Sequence, residues 1–166
     1  MKKDKNKSLG TNGLIIILDA VIVITILLSY CFNILFNAHV DGESMMPTLT
    51  NNQRAFGSCL GTRDRGDIVV IEVGDKSDHL IIKRIIGLPG ETISIKGTDV
   101  YINGELLEED YLDESLNQGA DCYDDMEITL SDNEYFCMGD NRDHSSDSRY
   151  YGPFTSDQIL AEMYIY

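Results

Sequence analysis

Residues 14–36 read LIIILDAVIVITILLSYCFNILF, an apolar run broken by one charge, Asp19. Coiled as a helix it would measure roughly 34 Å at about 1.5 Å per residue, enough to cross a bilayer. Beyond it the pattern changes to short β-branched or alternating runs, which predict strands. These lie at 67–73, 79–86, 92–95, 134–138 and 161–166, with strand signals resuming at Met126. Asn103-Gly104 divides residues 100–107 into two strand-like halves. Both residues tolerate positive φ, so the pair predicts a tight hairpin. Leu88-Pro89-Gly90 marks a further turn, and residues 155–160 a short turn or helix. Residues 108–125 are acidic and read as a surface excursion. The pattern predicts a mainly β protein: an N-terminal transmembrane helix, then one twisted, partly closed antiparallel β domain. The expected division is a cytoplasmic N-terminus over 1–13, an anchor over 14–36 and an extracytoplasmic domain over 37–166.

Charge supports that orientation. Four lysines (Lys2, Lys3, Lys5, Lys7) precede the apolar run, which favours a cytoplasmic N-terminus. The formal net charge of the 166 residues is −15, with 28 acidic and 13 basic side chains. From residue 37 onward the excess is larger still, so this part should repel nucleic acid. A cleavable signal peptide would have a shorter apolar core and small residues before the cut; Phe36 stands where a second small residue would be needed. Of the four cysteines, Cys31 lies in the apolar run. Cys59, Cys122 and Cys137 have no metal-ligand spacing, so no metal is expected. A Cys122–Cys137 bridge stays open at this level.

Two residue types suggest acyl-transfer chemistry. Ser44 lies just past the apolar run in Gly42-Glu43-Ser44-Met45-Met46-Pro47. Such a Gly/Pro loop can present a hydroxyl and a backbone N–H to one point. Lys83 follows Leu80-Ile81-Ile82 and would share a strand face with Ile81 and Ile85. Burial there would lower its pKa and let a neutral amine act as base. Singly, each has an ordinary reading: a loop serine, and a strand lysine that reaches water. A triad of Ser44 with His39, His79 or His144 and Asp140 or Asp147 is also compatible with the composition. The block 139–152 is rich in Asp, Arg and Ser and does not fit an EF-hand register.

Together these blocks resemble the bacterial type I signal peptidases. Val40–Leu49 resembles the nucleophile block, Arg65–Val69 the next, and Lys83–Glu91 the lysine block. Val100–Gly104 resembles the family hairpin and Gly139–Gly152 the last block. The resemblance implies a membrane-bound serine endopeptidase that removes signal peptides from exported preproteins after small-x-small sites. It implies Ser44 as nucleophile and backbone oxyanion donor, Lys83 as general base, and Ser145 as the residue orienting Lys83. It further implies structural ion pairs Arg84–Asp140 and Asp147–Arg149. Val40, Met45, Ile81 and Ile82 would line the substrate pockets. Preproteins and membrane lipid are the implied partners of a single-pass monomer; no cofactor is implied. Some family members carry a serine two residues before the nucleophile, whose hydroxyl helps bind the oxyanion. This chain has Gly42 there, as in many Gram-positive relatives. Two other readings stay in play: a non-catalytic assembly protein on the same scaffold, and a LexA-like self-cleaving Ser-Lys protein.

Overall fold

The structure is a computed structural model. It describes residues 11–74, 79–119 and 125–164. The four N-terminal lysines, Cys122 and the last two residues of the expected C-terminal strand lie outside these. The chain divides into two compact units, 1–35 and 36–166.

The first unit is dominated by helix α1, Thr11–Ile34. Its described side chains, from Gly13 to Ser29, include large apolar groups that are all exposed, Leu14 to Leu28 among them. Among the described residues no helix is long and apolar enough to cross a membrane. The helix also stops short of the expected anchor's end. Leu35 and Phe36 belong to strand β1, Leu35–His39.

The second unit contains the β structure. Strands β2 (Arg54–Ser58), β3 (Ile68–Glu72), β4 (Leu80–Gly87) and β5 (Thr92–Lys96) come first. They are followed by β6 (Asp99–Ile102), β7 (Glu105–Leu106), β8 (Met126–Thr129) and β9 (Glu134–Met138). Helix α2 (Ser148–Tyr151), β10 (Phe154–Thr155) and β11 (Ile159–Tyr164) close the chain. Seven strands form one sheet in the order β1-β2-β11-β3-β4-β9-β10, and four form a second in the order β7-β6-β5-β8. The pairings from β2 through β10, and throughout the second sheet, are antiparallel. Asn103 (φ 51°) and Gly104 (φ 87°) make the turn between β6 and β7.

Alternation along β3 explains how one strand serves two cores. Ile68 and Val70 pack with Val40, Met45 and Leu49. Val69 and Ile71 pack with Ile85, Cys137 and Phe154. A third cluster joins the sheets: Ile86, Phe136 and Met138 from the first meet Ile93, Ile95 and Val100 from the second. Lys83 pairs in register with Val69 at the middle of β4. It is thus fixed beside the buried Val69 on one side, between half-buried Ile82 and buried Arg84 along its own strand.

Strand β2 escapes the sequence pattern because Arg-Ala-Phe-Gly-Ser holds no β-branched residue. Its place is set by pairing with β11, where Gly57 faces Met163 and Phe56 faces Tyr164. Cys59 is a free exposed thiol and Cys137 a free buried one.

Candidate active site

The nucleophile loop follows β1. Val40 is tied to it from both sides: its N–H donates to Gln53 O, and its carbonyl accepts from Asn52 N–H. Gly42 sits at φ 105°, where a side chain would be strained, and its N–H donates to Asn51 Oδ1. A turn follows in which Met46 N–H donates to Glu43 O at 3.0 Å, and Leu49 N–H to Met45 O at 2.8 Å. Met45 and Leu49 are buried under it, anchoring the loop to the core. Ser44 is held at the apex.

Lys83 Nζ donates to Ser44 Oγ at 2.8 Å and to Ile82 O at 2.9 Å. The residue is 3% exposed. Burial lowers its pKa from 10.5 to about 8. The negative charge of Asp147 opposes that fall, while the Arg149 guanidinium adds to it. The described hydrogen-bond partner of Ser44 Oγ is thus an amine, and His39, His79 and His144 are all exposed.

A carboxylate network lies behind the lysine. Asp147 is fully buried and accepts from Gly139 N–H (3.0 Å) and Ser145 Oγ (2.7 Å). It also accepts from Arg149 Nε and a terminal guanidinium nitrogen, both at 2.9 Å. Burial alone would raise its pKa, but the Arg149 hydrogen bonds and charge hold it below the ordinary carboxylate value. Ser145 therefore spends its hydroxyl proton on Asp147. Among the described hydrogen bonds none joins it to Lys83 directly. Arg84 and Asp140 form a second two-point pair at 2.9 and 2.6 Å, and Thr48 Oγ1 also donates to Asp140.

The acidic excursion does more than the sequence indicated. The Arg142 guanidinium donates to both Glu109 carboxylate oxygens, in a pair buried on both sides. Tyr111 donates to the same carboxylate and lies 4.0 Å beneath the Arg84 guanidinium. Gln118 and Gly119 N–H groups donate to Asp143. The segment after β7 thus braces the loop that carries Ser145 and Asp147. Acid-rich composition hides such pairings, because charge runs usually face solvent.

Ser44 and Lys83 open into a cleft of about 500 Å³. Val40, Met45, Ile81 and Ile82 all line it, with His39, Asp41 and His79 among the polar lining. Lys83 pairs with β3, whereas β9 pairs with β4 only from Arg84 onward. Among the described residues, the stretch from Leu80 to Lys83 therefore leaves one backbone edge of β4 without a sheet partner along the cleft.

The model of the family described as "Signal peptidase, peptidase S26" matches residues 13–166. Signal peptidase I S of Bacillus subtilis (strain 168) is 41% identical over 152 residues, covering 84% of this chain and 81% of that protein. Signal peptidase I of Bacillus amyloliquefaciens is 38% identical over 170 residues, covering 96% and 90%. The crystal structure of a signal peptidase I from Enterococcus faecalis V583 superposes with a TM-score of 0.51 at 30% identity. It covers 61% of this chain and 97% of the other. With a family match over nearly its whole length and a fold shared with a solved relative, the chain belongs to the signal peptidase family, peptidase S26.

Proposed function

We propose that this chain is a membrane-anchored signal peptidase I that cuts preproteins after small-x-small sites with a Ser44–Lys83 dyad. The observation that carries the dyad is the 2.8 Å contact between Lys83 Nζ and Ser44 Oγ, made by a lysine whose pKa burial has lowered to about 8. Neutral Lys83 takes the Ser44 proton as Oγ attacks the scissile carbonyl carbon. Backbone N–H groups of the nucleophile loop stabilise the oxyanion. Protonated Lys83 then passes its proton to the leaving amine of the mature protein. Water, deprotonated by Lys83, hydrolyses the acyl-enzyme, which releases the signal peptide carboxylate and restores Ser44.

The cleft supports the specificity. Val40, Met45, Ile81 and Ile82 make its walls apolar, and the free edge of β4 can pair with an extended peptide. Small side chains before the cut suit shallow apolar pockets. For the anchor, the support is the exposed apolar surface of α1 together with the preceding lysines. Anchoring would hold enzyme and signal peptide in one membrane and raise their effective concentration. The catalytic domain then faces outward as a monomer.

The test uses the full chain in lipid vesicles and a preprotein with a small-x-small site. Wild type should release a mature protein beginning right after that site, and phenylalanine at the −1 position should block release. Ser44→Ala and Lys83→Ala should each be inactive with the fold intact. No cleavage of several such preproteins by wild type would favour a non-catalytic assembly role.

A further inference from the structure

Asn141 has an unusual hydrogen-bond pattern. It is 1% exposed, and its side-chain oxygen Oδ1 is buried with no partner. Such an orphaned acceptor costs free energy and calls for a reason. Asn141 precedes the 3-10 turn Arg142–His144, where an asparagine ordinarily caps with that oxygen, yet its side chain makes no cap. Instead Nδ2 donates to Glu43 O at 3.2 Å, and the Asn141 backbone N–H donates to Ser44 O at 3.0 Å. Turning the amide over would set Oδ1 against the Glu43 carbonyl, so the acceptor fixes which end faces the loop.

Both bonds act on the nucleophile's own peptide planes. In a trans peptide the N–H points opposite to the carbonyl of the same plane. The Glu43 carbonyl shares its plane with the Ser44 N–H, and the Ser44 carbonyl with the Met45 N–H. With the Ser44 carbonyl drawn to the Asn141 N–H, and the Glu43 carbonyl shared between Asn141 Nδ2 and the Met46 N–H of its own turn, both N–H groups are turned away from Asn141. Among the described residues neither N–H has a hydrogen-bond partner. Ser44 and Met45 both line the cleft. Two adjacent free N–H groups aimed to one side form an anion-binding concavity.

We propose that Asn141 is a positioning residue that forms the oxyanion hole, by turning the Ser44 and Met45 N–H groups toward the scissile carbonyl. This supplies from backbone alone the second donor that Gly42 cannot provide. The inference rests on the peptidase reading above. Asn141 does not line the cleft, so it acts through the loop and not on substrate.

The test uses the full chain in lipid vesicles and two variants. Asn141→Asp keeps the shape but replaces the donor to Glu43 by an acceptor. Asn141→Ala keeps the backbone bond to Ser44 and deletes the orphaned oxygen. Each is assayed for preprotein cleavage, thermal midpoint, and binding of a peptide aldehyde and of the matching alcohol. The aldehyde forms a tetrahedral adduct with Ser44 and needs the hole; the alcohol does not. In both variants kcat and aldehyde affinity should fall by about 10–100-fold, with KM and alcohol affinity within about threefold of wild type. Wild-type kcat in a folded variant would overturn the proposal. So would equal losses of aldehyde and alcohol binding, or loss of the fold in both variants. Failure of wild type itself to cleave would instead bring down the peptidase reading.

Discussion

The hydroxyl of Ser145 donates to Asp147 Oδ2 at 2.7 Å, and Asp147 is the leading negative charge acting on Lys83. The resemblance implies that Ser145 orients Lys83. The geometry offers a route through the carboxylate: Ser145 and Gly139 fix Asp147, and Asp147 sets the field at the amine. Ser145→Ala should therefore lower kcat by about 10–100-fold while leaving KM nearly unchanged. Urea unfolding should show a loss of about 1.5–3 kcal/mol, the range for one hydrogen bond to a buried charged group. Steady-state kinetics beside that unfolding curve check both halves.

Lys83 is held where a charge is disfavoured, and the fold bears that cost. Its folded pKa of about 8 lies below the ordinary 10.5. Between these values the unfolded chain binds more protons than the folded one, so stability rises with pH through that window. Below about pH 8 the full penalty is present. Lys83→Met keeps the bulk without the charge. It should stabilise the domain at pH 7, by at most about 3 kcal/mol, while removing activity. The gain should vanish above pH 10.5. Denaturant unfolding of both proteins at pH 7 and at alkaline pH measures it.

Gly139 is required by close approach, not by a turn. A Cβ there would lie 2.5 Å from Ser44 O and 2.3 Å from Ser145 Oγ. The first contact is backbone and cannot swing aside. Gly139→Ala should push the nucleophile loop and the 145–147 segment apart. We expect about 1–3 kcal/mol of lost stability and a fall in kcat of about 100-fold. Kinetics at a temperature where the variant is fully folded separate the two effects.

Much of this was legible in the sequence, for identifiable reasons. Strands β3, β4 and β9 announce themselves by β-branched or aromatic runs, and Asn103-Gly104 by its dihedral demands. Ser44 and Lys83 stand 39 positions apart, and no local pattern joins them. Only the order of the blocks did so. Strand β2 was hidden because its pairing with β11, not its composition, makes it a strand. The Glu109–Arg142 pair and the stacking of Tyr111 under Arg84 were hidden by the acidity of their segment. Asn141 gives no sequence signal beyond its block. Its part depends on where two carbonyls of a distant loop come to rest.

The pH dependence of kcat/KM on one preprotein tests most directly the claim that neutral Lys83 activates Ser44. This parameter reports the free enzyme's ionisations. The charged groups around the amine are Asp147, Arg149 and Asp140, with the Cys137 thiol nearby. His39, Asp41 and His79 line the open cleft. If Lys83 is the base, kcat/KM should rise about tenfold per pH unit on the acid side and level off above about pH 8. A rise centred near about 6.5, the ordinary value for histidine, or a flat profile from pH 6 to 9, would contradict the account.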